Sequence, residues 1–128
     1  MKPIIKNCFE KALKLNENHP DGNYRHFTFL FQCGKMLSIG MNRKAEPKIY
    51  LGYPPYSKLH SEIDAINKAR HTLDISKGFE IINIRLTKGG RLRLSKPCVH
   101  CQQVLDNLGC EDVIYSVDDG FAKDLLIF

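Results

Sequence analysis

Apolar residues recur along this chain with two different periods, and the switches between them outline its elements. In residues 3–15, Ile4, Ile5, Cys8, Ala12 and Leu15 fall at helical spacing with charges between them, which predicts an amphipathic helix. His19-Pro20-Asp21-Gly22-Asn23 is a turn cluster. Arg25–Cys33 and Met36–Met41 read as strands joined by Gly34-Lys35, a hairpin. Three prolines and no clear period predict a loop from Asn42 to Ser57. Leu59–His71 reads as a helix, with Ile63, Ile66 and Ala69 on one stripe that Ala65 widens. Glu80–Leu86 is a predicted strand and Lys88-Gly89-Gly90 a turn. Arg91-Leu92-Arg93-Leu94 then alternates with period two, as a return strand does. Cys98–Leu108 reads as a helix with Val104, Leu105 and Leu108 inward, closed by Gly109. Asp112–Val117 is the last clear strand, and Phe121–Phe128 carries no assignable pattern. Helix, hairpin, helix, strand pair, helix, strand: this order predicts an α/β layered domain with helices packed on a mixed sheet.

Composition narrows the class. A chain of 128 residues suits a single domain spanning 1–128. With 43% hydrophobic residues it can build a core, and it is not composed like a disordered chain. No apolar run is long enough to cross a bilayer. The start, Met1-Lys2-Pro3-Ile4-Ile5-Lys6, is charged again at once, unlike a signal peptide. The expectation is a cytoplasmic protein without a membrane partner. Five cysteines, odd in number and unevenly spaced, do not form a disulfide framework; the close Cys98/Cys101 pair points to metal or redox chemistry. A net charge of +5 fits an anionic ligand such as a nucleotide phosphate or a nucleic acid, and equally a lysine-rich surface.

Two short motifs carry the chemistry. His60-Ser61-Glu62 opens one predicted helix and Pro97-Cys98-Val99-His100-Cys101 opens another, so the strand between them can bring two helix tips side by side. Cys98 and Cys101, three apart, share a helix face and can both reach one metal. Each binds as thiolate, which a helix N-terminus stabilises, and Pro97 suits the position before such a start. His60 adds a neutral nitrogen. A catalytic zinc keeps three protein ligands and one position open to water. Glu62 beside it can move the proton of that water, and the backbone amides of Ser61 and Cys98 can assist binding. An H-x-E followed by P-C-x-x-C is the signature of zinc-dependent nucleobase deaminases.

On these residues the chain resembles the cytidine/deoxycytidylate deaminase superfamily, over roughly residues 25–117. Gly40-Met41-Asn42 ahead of the histidine motif, Cys101-Gln102-Gln103-Val104-Leu105 and Asp112-Val113-Ile114-Tyr115-Ser116 extend the likeness. The resemblance implies a three-layer α/β/α sandwich around a mixed sheet of about five strands. It implies zinc held by His60, Cys98 and Cys101, Glu62 as the catalytic acid/base, and Asn42 as a contact to sugar or base. It also implies hydrolytic deamination of cytosine in a free (deoxy)nucleoside or nucleotide, and a homo-oligomer. Ser61 stands where the superfamily commonly has Ala, His60 where small free-cytidine deaminases usually have Cys, and Arg85–Lys96 is longer than the corresponding link of deoxycytidylate deaminases.

Other readings stay open. The substrate can be a base within single-stranded DNA or RNA, or the chain a non-catalytic zinc-stabilised binding module. A structural zinc needs a fourth ligand, from Cys110 or His100, and leaves Glu62 without a role; a thioredoxin-type C-x-x-C leaves His60 without one. Tyr53 and Tyr56 can wall the pocket and stack a base, or pack their loop onto the body. Arg85, Lys88, Arg91, Arg93 and Lys96 form either a phosphate- or strand-binding edge, with Arg91 and Arg93 on one face, or a solvated edge that discourages aggregation. Cys8, Cys33 and Cys110 read as buried small hydrophobes. His100 reads as exposed, and His19, His26 and His71 as surface or core.

Overall fold

Helix α1 (Pro3–Asn16) begins on a proline, whose fixed φ and missing N–H suit a first turn, and buries Ile5, Cys8, Ala12 and Asn16. Ile4 and Leu15, though at helical spacing, fall on its flank: Ile4 is exposed and Leu15 half-buried. The computed structural model describes residues 2–19, 25–44, 58–118 and 120–123. After α1 come β1 (Arg25–Gln32), β2 (Lys35–Met41), β3 (Arg43–Lys44) and β4 (Lys58–Leu59). They are followed by α2 (Ser61–Ala69), a 3-10 turn at Ile75–Lys77, β5 (Phe79–Leu86) and β6 (Leu92–Arg93). The described chain ends with α3 (Val99–Asn107), β7 (Cys110–Val117) and β8 (Gly120–Lys123). No described helix is long and apolar enough to cross a membrane.

The main sheet runs β2-β1-β5-β7-β8, with β6 also paired to β5. Only β5–β7 is parallel; the β1–β2, β1–β5, β5–β6 and β7–β8 pairs are antiparallel. Strand alternation sorts the core into two layers. Phe27, Phe29 and Phe31 of β1 and Ile82, Ile84 and Leu86 of β5 pack with α1 on one face. Leu30 of β1, Ile81 of β5 and Val113 of β7 pack with α2 and α3 on the other. This is an α/β/α sandwich, as expected, with the two-residue β6 raising the sheet to six strands.

Local boundaries moved for identifiable reasons. The hairpin turn is Cys33-Gly34, both with positive φ (52° and 76°), so pairing resumes at Lys35. That turn leaves Cys33 exposed, and Cys110 is half-buried, so of the three cysteines expected to be buried only Cys8 is. Leu59 is not helical: it pairs with Arg43 across β3–β4, and α2 starts two residues later. The return strand expected over Arg91–Leu94 shrinks to Leu92–Arg93 because Ser95 turns away to β7, its N–H donating to the Ser116 carbonyl at 2.9 Å. Pairing of β5 with β7 stops at Asn83↔Tyr115, and the segment leading to Cys98 occupies the gap beyond. The C-terminal ends of β5 and β7 therefore open beside the start of α3.

Candidate active site

Both motif helices are positioned by their first residues. His60 caps α2 in extended conformation, and its carbonyl accepts the Asp64 N–H at 3.0 Å. Cys98 caps α3; its Sγ accepts the Cys101 N–H at 3.5 Å and its carbonyl the Gln102 N–H at 2.9 Å. The start of α2 lies flat on β2 because Gly40 has no side chain: a Cβ there would collide with the Ser61 carbonyl and the Ala65 amide. Asp64, fully buried, accepts the Met41 N–H at 3.0 Å and pairs with Arg43 and Lys68. These contacts tie the end of β2, and with it Asn42, to α2.

His60, Cys98 and Cys101 meet. Cys98 Sγ lies 3.7 Å and Cys101 Sγ 3.3 Å from His60 Nδ1, and all three donor atoms fall within 4.8 Å of one another. The edge between nitrogen and sulfur ligands of one tetrahedral zinc is about 3.6 Å, so the spacing fits that ion. Two soft sulfurs and an imidazole are also its preferred donor chemistry. Among the described residues no fourth His, Cys, Asp or Glu joins the group. His100 is exposed, and Cys110 sits at the start of β7 with its Sγ on the Asp112 carbonyl at 3.4 Å.

The three donors shift one another's protonation. A hydrogen bond from the Cys101 thiol, then one from His60, pulls the Cys98 pKa down to about 3, so Cys98 is a thiolate. The same bond to Cys98, with burial, pushes the Cys101 thiol up. His60 is raised, first by its hydrogen bond to Cys98. A cation bound here must displace the Cys101 proton.

Glu62, only 5% exposed, lies beside them. Burial raises its pKa, against hydrogen bonds that favour the charged form. Its Oε2 accepts from Asn83 Nδ2 at 3.0 Å, and Ser61 Oγ stands 3.2 Å from Oε1. A cavity of about 280 Å³ is lined by His26, Asn42, Leu59, His60, Ser61, Glu62, Lys96 and Cys98. Asn42 Oδ1 accepts the His26 N–H at 2.9 Å, which fixes the side chain on the cavity wall.

So His60, Cys98, Cys101, Glu62, Ser61 and Asn42 come together. Arg91 and Arg93 do not line the cavity: Arg91 is exposed, while Arg93 lies opposite Arg85 and donates to the Leu92 carbonyl at 3.0 Å. Lys96 is the basic residue of that stretch on the cavity wall. Tyr53 and Tyr56 lie outside the described residues. Three contributors escaped the sequence reading: His26 on the wall, and Thr28 and Asn83 behind Glu62. For Thr28 and Asn83 the signal was a polar residue in the middle of an apolar strand, Thr28 within Phe27–Phe31 and Asn83 within Ile81–Ile84; His26, at the strand start, carried none.

No family profile matches the chain, and no curated protein matches its sequence. Solved structures do. A dCMP deaminase from the cyanophage S-TIM5, in complex with dCMP and dUMP, superposes with a TM-score of 0.62 at 20% identity, covering 90% of this chain and 82% of its own. The fold is that of the cytidine deaminases. The apo form of the phage enzyme gives 0.60 at 21% identity, over 90% of this chain and 84% of its own. Cytidine deaminase from Mycobacterium leprae gives 0.58 at 18% identity, over 90% and 88%.

Proposed function

We propose that the chain is a zinc-dependent hydrolytic deaminase acting on cytosine in a free nucleoside or nucleotide. The observation that carries this reading is the convergence, at one cavity, of a His/Cys/Cys donor set with no fourth described donor and a buried carboxylate. Zinc held by His60, Cys98 and Cys101 would supply Lewis-acid activation of a water near neutral pH. Glu62 takes one proton from that water and delivers it to the ring nitrogen, then carries the proton left on the added oxygen to the departing amine, so that water and cytosine become uracil and ammonia. Its raised pKa suits a group that must hold a proton between those steps.

Asn42, fixed by the His26 amide, orients sugar or base. The amides of Ser61 and Cys98, at helix tips, favour negative charge in the substrate or its nucleophile. Tyr53 and Tyr56 stack the base. Lys96 at the wall favours a nucleotide phosphate, and the crystallised phage relative carries nucleotides. Arg91 and Arg93, away from the cavity, are contacts only for a longer substrate. A cytoplasmic homo-oligomer completes the reading.

The test is ammonia release from cytidine, deoxycytidine, their monophosphates, adenosine and single-stranded oligonucleotides by the zinc-loaded protein. Turnover is expected on a free cytosine nucleoside or nucleotide. A Glu62→Gln variant that retains its zinc should be slower by at least about a hundredfold. Turnover restricted to oligonucleotides and falling steeply with salt would transfer the assignment to polynucleotide editing. Silence on the whole panel would leave a zinc-stabilised binding module.

A further inference from the structure

Glutamate is almost never buried without a partner. Glu62 is buried, and its carboxylate is met by Asn83 from the sheet and by Ser61 of its own helix. Asn83 projects from β5 toward α2 and is 1% exposed. Its Nδ2 donates both protons, one to Glu62 Oε2 at 3.0 Å and one to the Ser95 carbonyl at 3.2 Å. Its Oδ1 accepts from Thr28 Oγ1, on the neighbouring strand at the directly opposite position. The amide has one workable orientation: turned over, its oxygen would face a carboxylate and a carbonyl. Thr28, 0% exposed, also stands 2.8 Å from Ser61 Oγ. A hydroxyl has a single proton, and the amide oxygen can only accept. Thr28 therefore donates to Asn83, and the single Ser61 proton serves either Thr28 Oγ1 or Glu62 Oε1. A run of hydrogen bonds from Thr28 through Asn83 to Glu62, with the Ser61 hydroxyl beside both ends, is thus set into an otherwise apolar interface between sheet and helix.

Burying an apolar pair there would be easier than burying these side chains, since each polar group must find its partner or cost about 1–3 kcal/mol. The backbone of β1, β5 and α2 is paired without these side chains, and the one backbone group Asn83 serves is the Ser95 carbonyl. The group reaches the cavity at Glu62 and Ser61.

We infer that Asn83, oriented by Thr28, is a positioning residue that pins one oxygen of Glu62 and holds the carboxylate plane toward the reacting atoms. This rests on the deaminase reading. A glutamate turns about three torsions, and general acid–base transfer needs it within hydrogen-bond reach in a narrow range of angles. Pinning Oε2 from the centre of the sheet removes that freedom, while Oε1 stands beside the Ser61 hydroxyl.

The test is steady-state kinetics on the best substrate of the parent protein, with zinc content measured alongside, for Asn83→Leu, Thr28→Val and Thr28→Ser. Asn83→Leu keeps the volume and removes both donors; kcat should fall by at least about tenfold with KM within about twofold. Thr28→Val should fall in the same way but less, and Thr28→Ser, which keeps the hydroxyl, should recover the parent rate. Thr28→Val carries the test if Asn83→Leu does not fold. Unchanged kcat in a zinc-loaded variant, or a rise in KM with kcat intact, would overturn the inference while the parent's turnover stands. A parent without turnover would remove the deaminase reading and this inference with it.

Discussion

His26 illustrates how much one residue's surroundings decide. Burial, with Arg85, His60 and His19 adding to it, holds its pKa down at about 4. The imidazole on the cavity wall is therefore neutral at physiological pH, able to donate or accept a hydrogen bond without adding charge. An unfolded histidine titrates near 6.5, so the unfolded chain takes up a proton that folded His26 refuses between about pH 6.5 and pH 4. Stability from this residue is complete above that window and lost on acidification through it, by at most about 1.4 kcal/mol per pH unit. In urea unfolding from about pH 7 to pH 5, His26→Gln should lose stability less steeply than the parent. Parallel slopes would show that His26 titrates normally. None of this was legible beforehand, because burial of a histidine at a strand start depends on what folds over it. The donor residues were different: His60, Glu62, Cys98 and Cys101 belong to motifs whose spacing is itself the chemistry. Thr28 and Asn83 left only the weaker trace of polarity inside apolar strands.

At the scale of elements, periodicity found α1, the β1–β2 hairpin, β5, α3 and β7 to within a few residues, since each has a local apolar pattern that matches its burial. It failed where partners are distant in sequence. Leu59 belongs to β4 because Arg43 pairs with it, and β6 is cut short because Ser95 bonds to β7. Gly40 marks another long-range demand. It lies in a strand, where glycine weakens pairing, and is required because β2 and the first turn of α2 touch. The obstructing atoms are mostly backbone and cannot swing away, so Gly40→Ala must push α2 off the sheet. The expected cost is about 2–3 kcal/mol, read as a lower melting temperature, together with weaker zinc retention as His60 moves away from the thiols. A variant with the parent's melting temperature and zinc content would mean that the approach is not close.

For the whole molecule, the sandwich gathers its chemistry at one end. β1 runs opposite to β5, so the start of β1, the end of β2 and the C-terminal ends of β5 and β7 share an edge. The tips of α2 and α3 meet there. Crevices outside strand carboxyl ends are where open α/β sheets bind ligands. Layer order and fold class followed from the alternation of elements. The cavity did not, because its walls come from four separate segments, around His26, Asn42, Leu59–Glu62 and Lys96–Cys98. The proposed chemistry needs one zinc held by three side chains, with a corner left to solvent. X-ray absorption at the zinc edge reads this directly. The prediction is one zinc per chain with two sulfur neighbours at about 2.3 Å and two nitrogen or oxygen neighbours at about 2.0–2.1 Å, one of them exchangeable water. A third sulfur or a second imidazole in the shell, or a purified chain that binds no zinc, would contradict it.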